Sequence, residues 1–434
     1  MSHDVVLEGK AFVNQQFQQC CIGIDDGKIT AIKKVLTGEK THRFTKQLLL
    51  PAGIDVHVHF RDPGMTQKET FQTGSIAAAH GGISCVFDMP NTRPASFTPE
   101  TVVEKQQIAN RKSIVDFGVY AGLSKKILST TGFVNRLASV CHGFKMFLGE
   151  TTNSLTLSSD LIQPALNKIK FFDKPVFVHA EDNSCLQKHK GSEHHLVDHH
   201  TTRPPVCETR AIDHVVSAAK TVETPVHICH TASAAAVRRL QNTPSFITYG
   251  ITPHHSLLNV EYTHVPESWL KVNPPVRPKQ DQQILFKTIQ DGNVFLLESD
   301  HAPHSLKEKD KVFSETPCGI PGVETMYPVF LGQAVKKRIS FPRLISLLSE
   351  HPSQLLNLSK GFISPGYDAD IIAVDRKNMQ NIRIDQLHSK ADWSPFEGFP
   401  AVFPSTVFIR GTKVIDEYEQ QVSAGFGSMV PLNK

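Results

Sequence analysis

The stretch Leu48-Leu49-Leu50-Pro51-Ala52-Gly53-Ile54-Asp55-Val56-His57-Val58-His59-Phe60, followed at once by Arg61-Asp62-Pro63-Gly64, is where the fold can first be read. It is an apolar-rich run that ends in two histidines two residues apart. In an extended strand alternate side chains share a face, so both imidazoles of His57-Val58-His59 can point at one metal ion. Comparable apolar or β-branched runs recur at 83–89, 115–120, 143–147, 175–179, 225–230, 246–251 and 294–299, which with 54–59 makes eight strand candidates. Stretches that suit helices lie between them, among them 68–80, 99–111, 157–172, 206–220 and 233–241. Strand then helix, repeated, builds a parallel sheet, and eight such units close into a (β/α)8 barrel of the TIM type. An open doubly wound sheet is the competing arrangement. No glycine-rich phosphate turn follows the first strand to support a dinucleotide site.

The flanks have a different texture. Residues 1–50 carry alternating segments at 5–13 and 21–33 with an Asp26-Gly27 turn, and residues 361–434 carry β-like runs at 370–374 and 406–415. Two short β-rich pieces have poor cores alone. The expectation is therefore one small composite β-sheet domain, formed by residues 1–50 and 361–434 together, beside a barrel domain spanning 51–360.

Composition narrows the classes of function. A chain of 434 residues, 40% hydrophobic and 20% charged, can bury a large core. Its formal charge of +4 is small for that length and its basic residues are scattered, which argues against nucleic acid or an anionic membrane as partner. No apolar run approaches a membrane span and no secretory pattern precedes the first strand, so a cytoplasmic location is expected. Eight cysteines without a CxxC pair argue against a disulfide framework or a zinc-thiolate site, and reduced, buried thiols are expected.

In a barrel of this type the active site lies at the carboxyl-terminal ends of the strands. The first strand ends with His57 and His59, Asn91 follows the second, Lys145 lies on the fourth, His179 ends the fifth, His230 the sixth and Asp300 the eighth. Metal-competent side chains thus fall where such a fold would gather them. Lys145 is the odd member, because a bare cation facing metal ions would be costly. A neutral amine can add carbon dioxide, and the resulting carbamate is an anion with two oxygens that can bridge two cations.

The set His57-Val-His59-Phe-Arg61-Asp-Pro-Gly, Met89-Pro-Asn91-Thr92, Lys145, His179-Ala, His227-Ile-Cys-His230, Asn273-Pro-Pro and Ser299-Asp300-His-Ala-Pro-His304 resembles the dihydroorotases of the amidohydrolase superfamily. The resemblance runs over nearly the whole chain and includes Trp393-Ser394-Pro395-Phe396-Glu397-Gly398. It implies two zinc ions, with His57, His59 and Asp300 on one and His179 and His230 on the other, bridged by N6-carboxylated Lys145 and a hydroxide. It also implies Asp300 as general base and then acid, and a small-molecule substrate, N-carbamoyl-L-aspartate or L-dihydroorotate. Family habit adds a homodimer. His59, Arg61, Asn91 and His304 would hold the substrate carboxylate, for which Arg61 offers a planar donor fork, while Asn273 and the backbone at Cys318-Gly319 would contact the ring. Where many relatives carry a bulky apolar residue, this chain has Cys318. Two alternatives stay open: another cyclic amidohydrolase such as an allantoinase or hydantoinase, and a non-catalytic scaffold.

Three further features are set aside. Alternation with His230 places His227 and Cys229 on the helix-facing side of the sixth strand, as packing residues. His194, His195, His199 and His200 read as solvated loop histidines. Thr151 and Thr152, in a polar stretch after the lysine strand, are candidate lid residues touching substrate.

Overall fold

The computed structural model describes residues 2–150 and 155–432, so Thr151 and Thr152 lie outside the described residues. From Gly53 onward, parallel strands alternate with helices. Gly53–Val58 pairs with Ile83–Asp88, which pairs with Asp116–Val119. After Tyr120 the ladder resumes at Ala121–Gly122 and runs in chain order through Phe144–Phe147, Val176–His179, Val226–Ile228, Ile247–Ile251 and Leu296–Leu297. A parallel bridge from His301 to Val58 then returns the pairing to its first strand, reinforced by the His59 N–H donating to the His301 carbonyl at 2.7 Å. Strands covered on both faces must be apolar throughout, which is why they read as unbroken hydrophobic runs. Ile54, Val56, Phe87, Phe177 and Leu296 fill the space the strands enclose, where the Tyr120 hydroxyl donates to the Val56 carbonyl at 3.1 Å.

The two termini meet in one eight-stranded sheet, separate from the parallel strands. His3–Val13 pairs in parallel with Gly38–Pro51, whose far end pairs antiparallel with Ile371–Val374, followed by Thr406–Ile409 and Thr412–Asp416. Two-residue turns join several of its strands. Asp26 and Gly27 both have positive φ (50° and 75°), the conformation a tight hairpin demands and an Asp-Gly pair adopts at little cost. Asn14-Gln15 and Glu417-Tyr418 make the same turn without glycine.

The terminal sheet and the parallel strands are tied by buried charge. Lys360 Nζ lies 2.6 Å from Asp116, at the start of the strand Asp116–Val119, and 2.9 Å from both Asp368 and Asp370, beside the sheet strand Ile371–Val374. Among the described residues no helix is long and apolar enough to cross a membrane.

Cysteine use departs from the expectation of free thiols throughout. Cys185 and Cys207 form a disulfide, joining the helix Asn183–Lys188 to the first turn of Pro205–Val222. The pairing has no local sequence signature, because it depends on two helices that meet only in the folded chain.

Candidate active site

At the carboxyl ends of the parallel strands lies a cavity of about 320 Å³ lined by His57, His59, Arg61, Asn91, Lys145, His179, His230, Asn273, Asp300, His304, Cys318 and Gly319. Every described residue singled out as a ligand or substrate contact therefore reaches one space. A larger cavity of about 440 Å³ beside His80, Glu324 and His388 lies away from the strand ends. The described metal-competent clusters do not include its residues.

Local backbone geometry turns the donors inward. His230 and Asp300 have φ of 39° and 46°, so each leaves the extended conformation just past its strand. This corrects the reading of the sixth strand. The strand ends at Ile228, and the turn at His230 breaks the alternation on which the packing assignment of His227 and Cys229 depended. Cys229 faces the enclosed interior, with Lys145 Nζ donating to its Sγ at 3.2 Å, and His227 Nε2 lies 3.7 Å from Glu298.

The hydrogen bonds around the histidines decide which ring nitrogens carry lone pairs. His57 Nδ1 is 2.8 Å from Glu298 Oε2, His59 Nδ1 is 2.6 Å from Asn91 Oδ1, and His179 Nε2 is 2.9 Å from Glu181 Oε2. Each of these oxygens is an acceptor, so each nitrogen facing one is the protonated one. The opposite nitrogens converge on the centre of the cavity, where a bound cation would take their lone pairs in place of the contacts seen here. His57 Nε2 and His59 Nε2 lie 3.3 and 3.1 Å from Asp300 Oδ1, and His179 Nδ1 lies 3.1 Å from His230 Nε2. Burial lowers the basicity of all four rings, His57 to about 4, with the Lys145 charge adding to the effect there. Burial thus favours the neutral imidazole, the form that binds metal. Burial alone would raise the Asp300 carboxyl, but positive charge shared onto the His57, His59 and His230 rings and the hydrogen bond from His59 hold it well below its usual range.

This donor set fits divalent cations. His57, His59 and Asp300 present ligand atoms within 4.8 Å of one another, and His179 and His230 present a second pair of facing nitrogens. Lys145, fully buried, lies against Cys229 and over the ring of Phe147 at 5.3 Å.

Two carboxylates behind the candidate ligands were not apparent from sequence. Glu298 is fully buried, and besides holding His57 it accepts the His230 backbone N–H at 2.5 Å. Glu181 is held by Arg203, whose Nε lies 3.2 Å from Oε1 and whose Nη2 bonds Oε2. Only their positions two residues from Asp300 and His179 hinted at such roles.

On the other side of the cavity Arg61 has φ of 61° and is 6% exposed. Its Nε donates to the Pro303 carbonyl at 3.3 Å and its Nη2 lies 3.4 Å from His304 Nε2. Neighbouring Asp62 pairs with Lys112 instead, at 2.7 Å. Lys68, 3.0 Å from His304 Nδ1, also lines this wall. Asn273 Oδ1 is buried without a hydrogen-bond partner among the described residues. Gly319 has φ of 150°, and a Cβ there would come within 2.3 Å of the Ala302 carbonyl, so glycine is required at this point of the wall.

The histidine-rich segment also departs from expectation. His194 and His195 are exposed, but His199 and His200 belong to a helix, Leu196–Thr202, and His199 is 2% exposed because that helix docks against the loop of Cys318.

The sequence profile of the amidohydrolase family matches residues 48–414. Dihydroorotases from Methanosarcina acetivorans and Thermoplasma acidophilum are both 35% identical to this chain, the first over 97% of it and 94% of the relative, the second over 99% of each. Among solved structures, an L-hydantoinase (dihydropyrimidinase) from Arthrobacter aurescens superposes with a TM-score of 0.92 at 24% identity over 99% of both chains. A dihydropyrimidinase from Brevibacillus agri gives 0.90, also at 24% identity, over 98% of both. At that level of identity the solved structures speak for the fold alone. The family match spans the parallel strands, the residues lining the cavity and the later strands of the terminal sheet as far as residue 414: the chain belongs to the amidohydrolase family.

Proposed function

We propose that this chain is a metal-dependent dihydroorotase, closing N-carbamoyl-L-aspartate to L-dihydroorotate with loss of water and catalysing the reverse ring opening. Its relatives carry that name, and one observation carries the choice of substrate. Arg61 is a buried guanidinium at the cavity wall with no carboxylate partner among the described residues. A buried charge is costly until it is paired, and a ring substrate bearing a carboxylate supplies the pair.

We read the returning ladder of parallel strands as a (β/α)8 barrel over 51–360, with the composite sheet domain drawn from 1–50 and 361–434 and the cavity at the barrel's carboxyl-terminal mouth. His57, His59 and Asp300 would hold one divalent cation and His179 and His230 a second, with Lys145 between them as its N6-carboxylate. Imidazole and carboxylate donors of this kind suit zinc. Such ions, when bound, make water a nucleophile at neutral pH and polarise the amide carbonyl.

The remaining work falls to the chain's own groups. In ring opening the Asp300 carboxylate accepts the proton released as water adds to the ring carbonyl carbon, and returns it to the ring nitrogen as the C–N bond breaks. In cyclisation it takes the proton from the attacking ureido nitrogen and passes it to the departing water. Arg61, with Asn91 and His304, grips the ring carboxylate through a planar fork. Asn273 Oδ1 takes a ring N–H, and the Cys318-Gly319 backbone walls the ring's far side.

The test compares dihydroorotate with 5,6-dihydrouracil, the same ring without the carboxylate, in the native chain and in Arg61→Met. A charge-assisted contact worth about 2–3 kcal/mol predicts a preference for dihydroorotate of roughly 30–150-fold in kcat/KM, abolished by the substitution. A native preference for dihydrouracil, or a preference that survives Arg61→Met, would refute the reading.

A further inference from the structure

One side chain in the cavity wall has no part in the reaction just described. Cys318 is the only free cysteine among the described residues that is not fully buried, and it lines the cavity. Its Sγ lies 3.9 Å from His199 Nε2, and His199 Nδ1 lies 3.0 Å from Glu193 Oε2. His199 Nε2 also meets the Val272 carbonyl at 3.0 Å. One ring nitrogen thus meets a carbonyl and the other lies against a carboxylate, groups that can only accept, while the sulfur beside the first can accept or donate. A neutral imidazole would turn a lone pair against one of them, so the ring is doubly protonated.

The surroundings then call for an anion. Lys271 lies 3.2 Å from Glu193, and Arg203 is matched by Glu181. Lys309 Nζ sits beneath the Cys318 loop, donating to the Pro317 and Gly319 carbonyls at 3.1 and 3.2 Å, while His304 Nε2 lies 3.1 Å from the Cys318 carbonyl. Glu193 alone stands against the charges of His199 and Lys271, and a thiolate at Cys318 completes the balance. Burial alone would raise the Cys318 thiol, but His199, Lys271 and Arg203 hold it below its ordinary value of 9.0. Burial alone would likewise lower His199, yet Cys318 and Glu193 bring it up to about 9.

We infer that Cys318, His199 and Glu193 form a thiolate–imidazolium–carboxylate constellation in the cavity wall, a modification site for small uncharged electrophiles, peroxide foremost, whose reaction closes the cavity to substrate. With hydrogen peroxide the thiolate sulfur attacks one oxygen, the S–O bond forms as the O–O bond breaks, and the leaving hydroxide takes the proton of His199. The products are a sulfenic acid, water and a neutral imidazole. Sulfur is oxidised by two electrons and peroxide reduced by two. The chemistry at sulfur stands apart from the reaction the cavity performs; only the loss of activity rests on the proposed function.

The test labels the non-reduced protein with iodoacetamide between pH 5 and 9 and quantifies each cysteine peptide by mass spectrometry. Cys318 should label far ahead of the other cysteines, with its half-point below the ordinary thiol value. In His199→Gln the half-point should rise, and labelling at pH 6.5 should slow by roughly tenfold or more. Glu193→Gln, at a position more open to solvent, should move the profile the same way and serves if His199→Gln does not fold. Labelling no faster than that of a free small thiol at pH 6.5, or a profile unmoved in both variants, overturns the constellation. In a second arm, peroxide should abolish dihydroorotate turnover in step with sulfenate at Cys318, and a dithiol reductant should restore it. Whatever activity Cys318→Ser retains should resist peroxide; loss at the native rate overturns the site's link to the cavity. If peroxide modifies Cys318 and dihydroorotate is never turned over, the substrate reading fails and the sulfur chemistry stands.

Discussion

Replacing Glu298 by glutamine tests whether the carboxylate behind the first strand sets the metal site. Glu298 uses both oxygens, Oε2 toward His57 Nδ1 at 2.8 Å and Oε1 toward the His230 backbone N–H at 2.5 Å. Glutamine keeps one acceptor and puts an N–H₂ where the other was. One of the two donors must then face a donor. No slack is available, because the residue is fully buried and Oε1 already lies 2.3 Å from the position a Cβ on Gly250 would occupy. A buried donor left unmatched costs about 1–3 kcal/mol. If the amide turns against His57, the ring loses the partner that keeps its Nε2 lone pair aimed at Asp300. Lost supporting contacts of this kind typically cost 10–100-fold in metal affinity, about 1.4–2.7 kcal/mol. Competition against a chromophoric zinc chelator should therefore show one of the two ions weakened by that amount in Glu298→Gln, while the ion assigned to His179 and His230 shifts less. Both ions bound within roughly threefold of native affinity would show that Glu298 does not orient His57, since an effect below 1 kcal/mol is smaller than one lost buried hydrogen bond.

Glu181→Gln should act on the other ion in the same assay, because Glu181 fixes His179 while Arg203 fixes Glu181. Equal loss at both ions in each variant would show that the two carboxylates do not serve separate sites. Lys360→Met leaves the buried Asp370 carboxylate without a cation, while Asp116 keeps Arg410, and should cost about 3–5 kcal/mol in chemical denaturation. Burial alone would raise the Asp368 carboxyl, but Lys360 and Lys28 hold it below 3.8. Its contribution is thus fully present above the unfolded value and is lost as pH falls through the lower folded one, an acid limb that Lys360→Met should flatten. Reducing Cys185–Cys207, which spans 22 positions, should lower stability by roughly 3 kcal/mol as read by denaturant midpoint, with the alkylated protein as control.

The parallel strands were legible because burial on both faces leaves little room for polar alternation, so runs such as Val176-Phe177-Val178 stand out as apolar text. The residues proposed as ligands stood out because His57, His179, His230 and Asp300 each sit at or just past the end of such a run. What was hidden depends on contacts distant in sequence. Glu298 and Glu181 look like ordinary acids until folding sets them behind His57 and His179. That His230 reaches the cavity alongside inward-facing His227 and Cys229 depends on its own left-handed backbone, which no strand periodicity announces. His199 lies in a polar stretch and reads as solvated, yet its short helix presses it against Cys318 and Val272. Asn14-Gln15 and Glu417-Tyr418 make tight turns without the glycine that marks Asp26-Gly27.

The central claim is that imidazoles and an acid from separate strands hold paired cations that drive opening of the dihydroorotate ring. Stripping the protein with a chelator, then titrating zinc back while following bound metal by atomic emission and ring opening by ultraviolet absorbance, tests it directly. The account predicts no turnover without metal and recovery that reaches its plateau at two equivalents. A full rate of dihydroorotate hydrolysis in the metal-free chain, or none when both equivalents are bound, would contradict it.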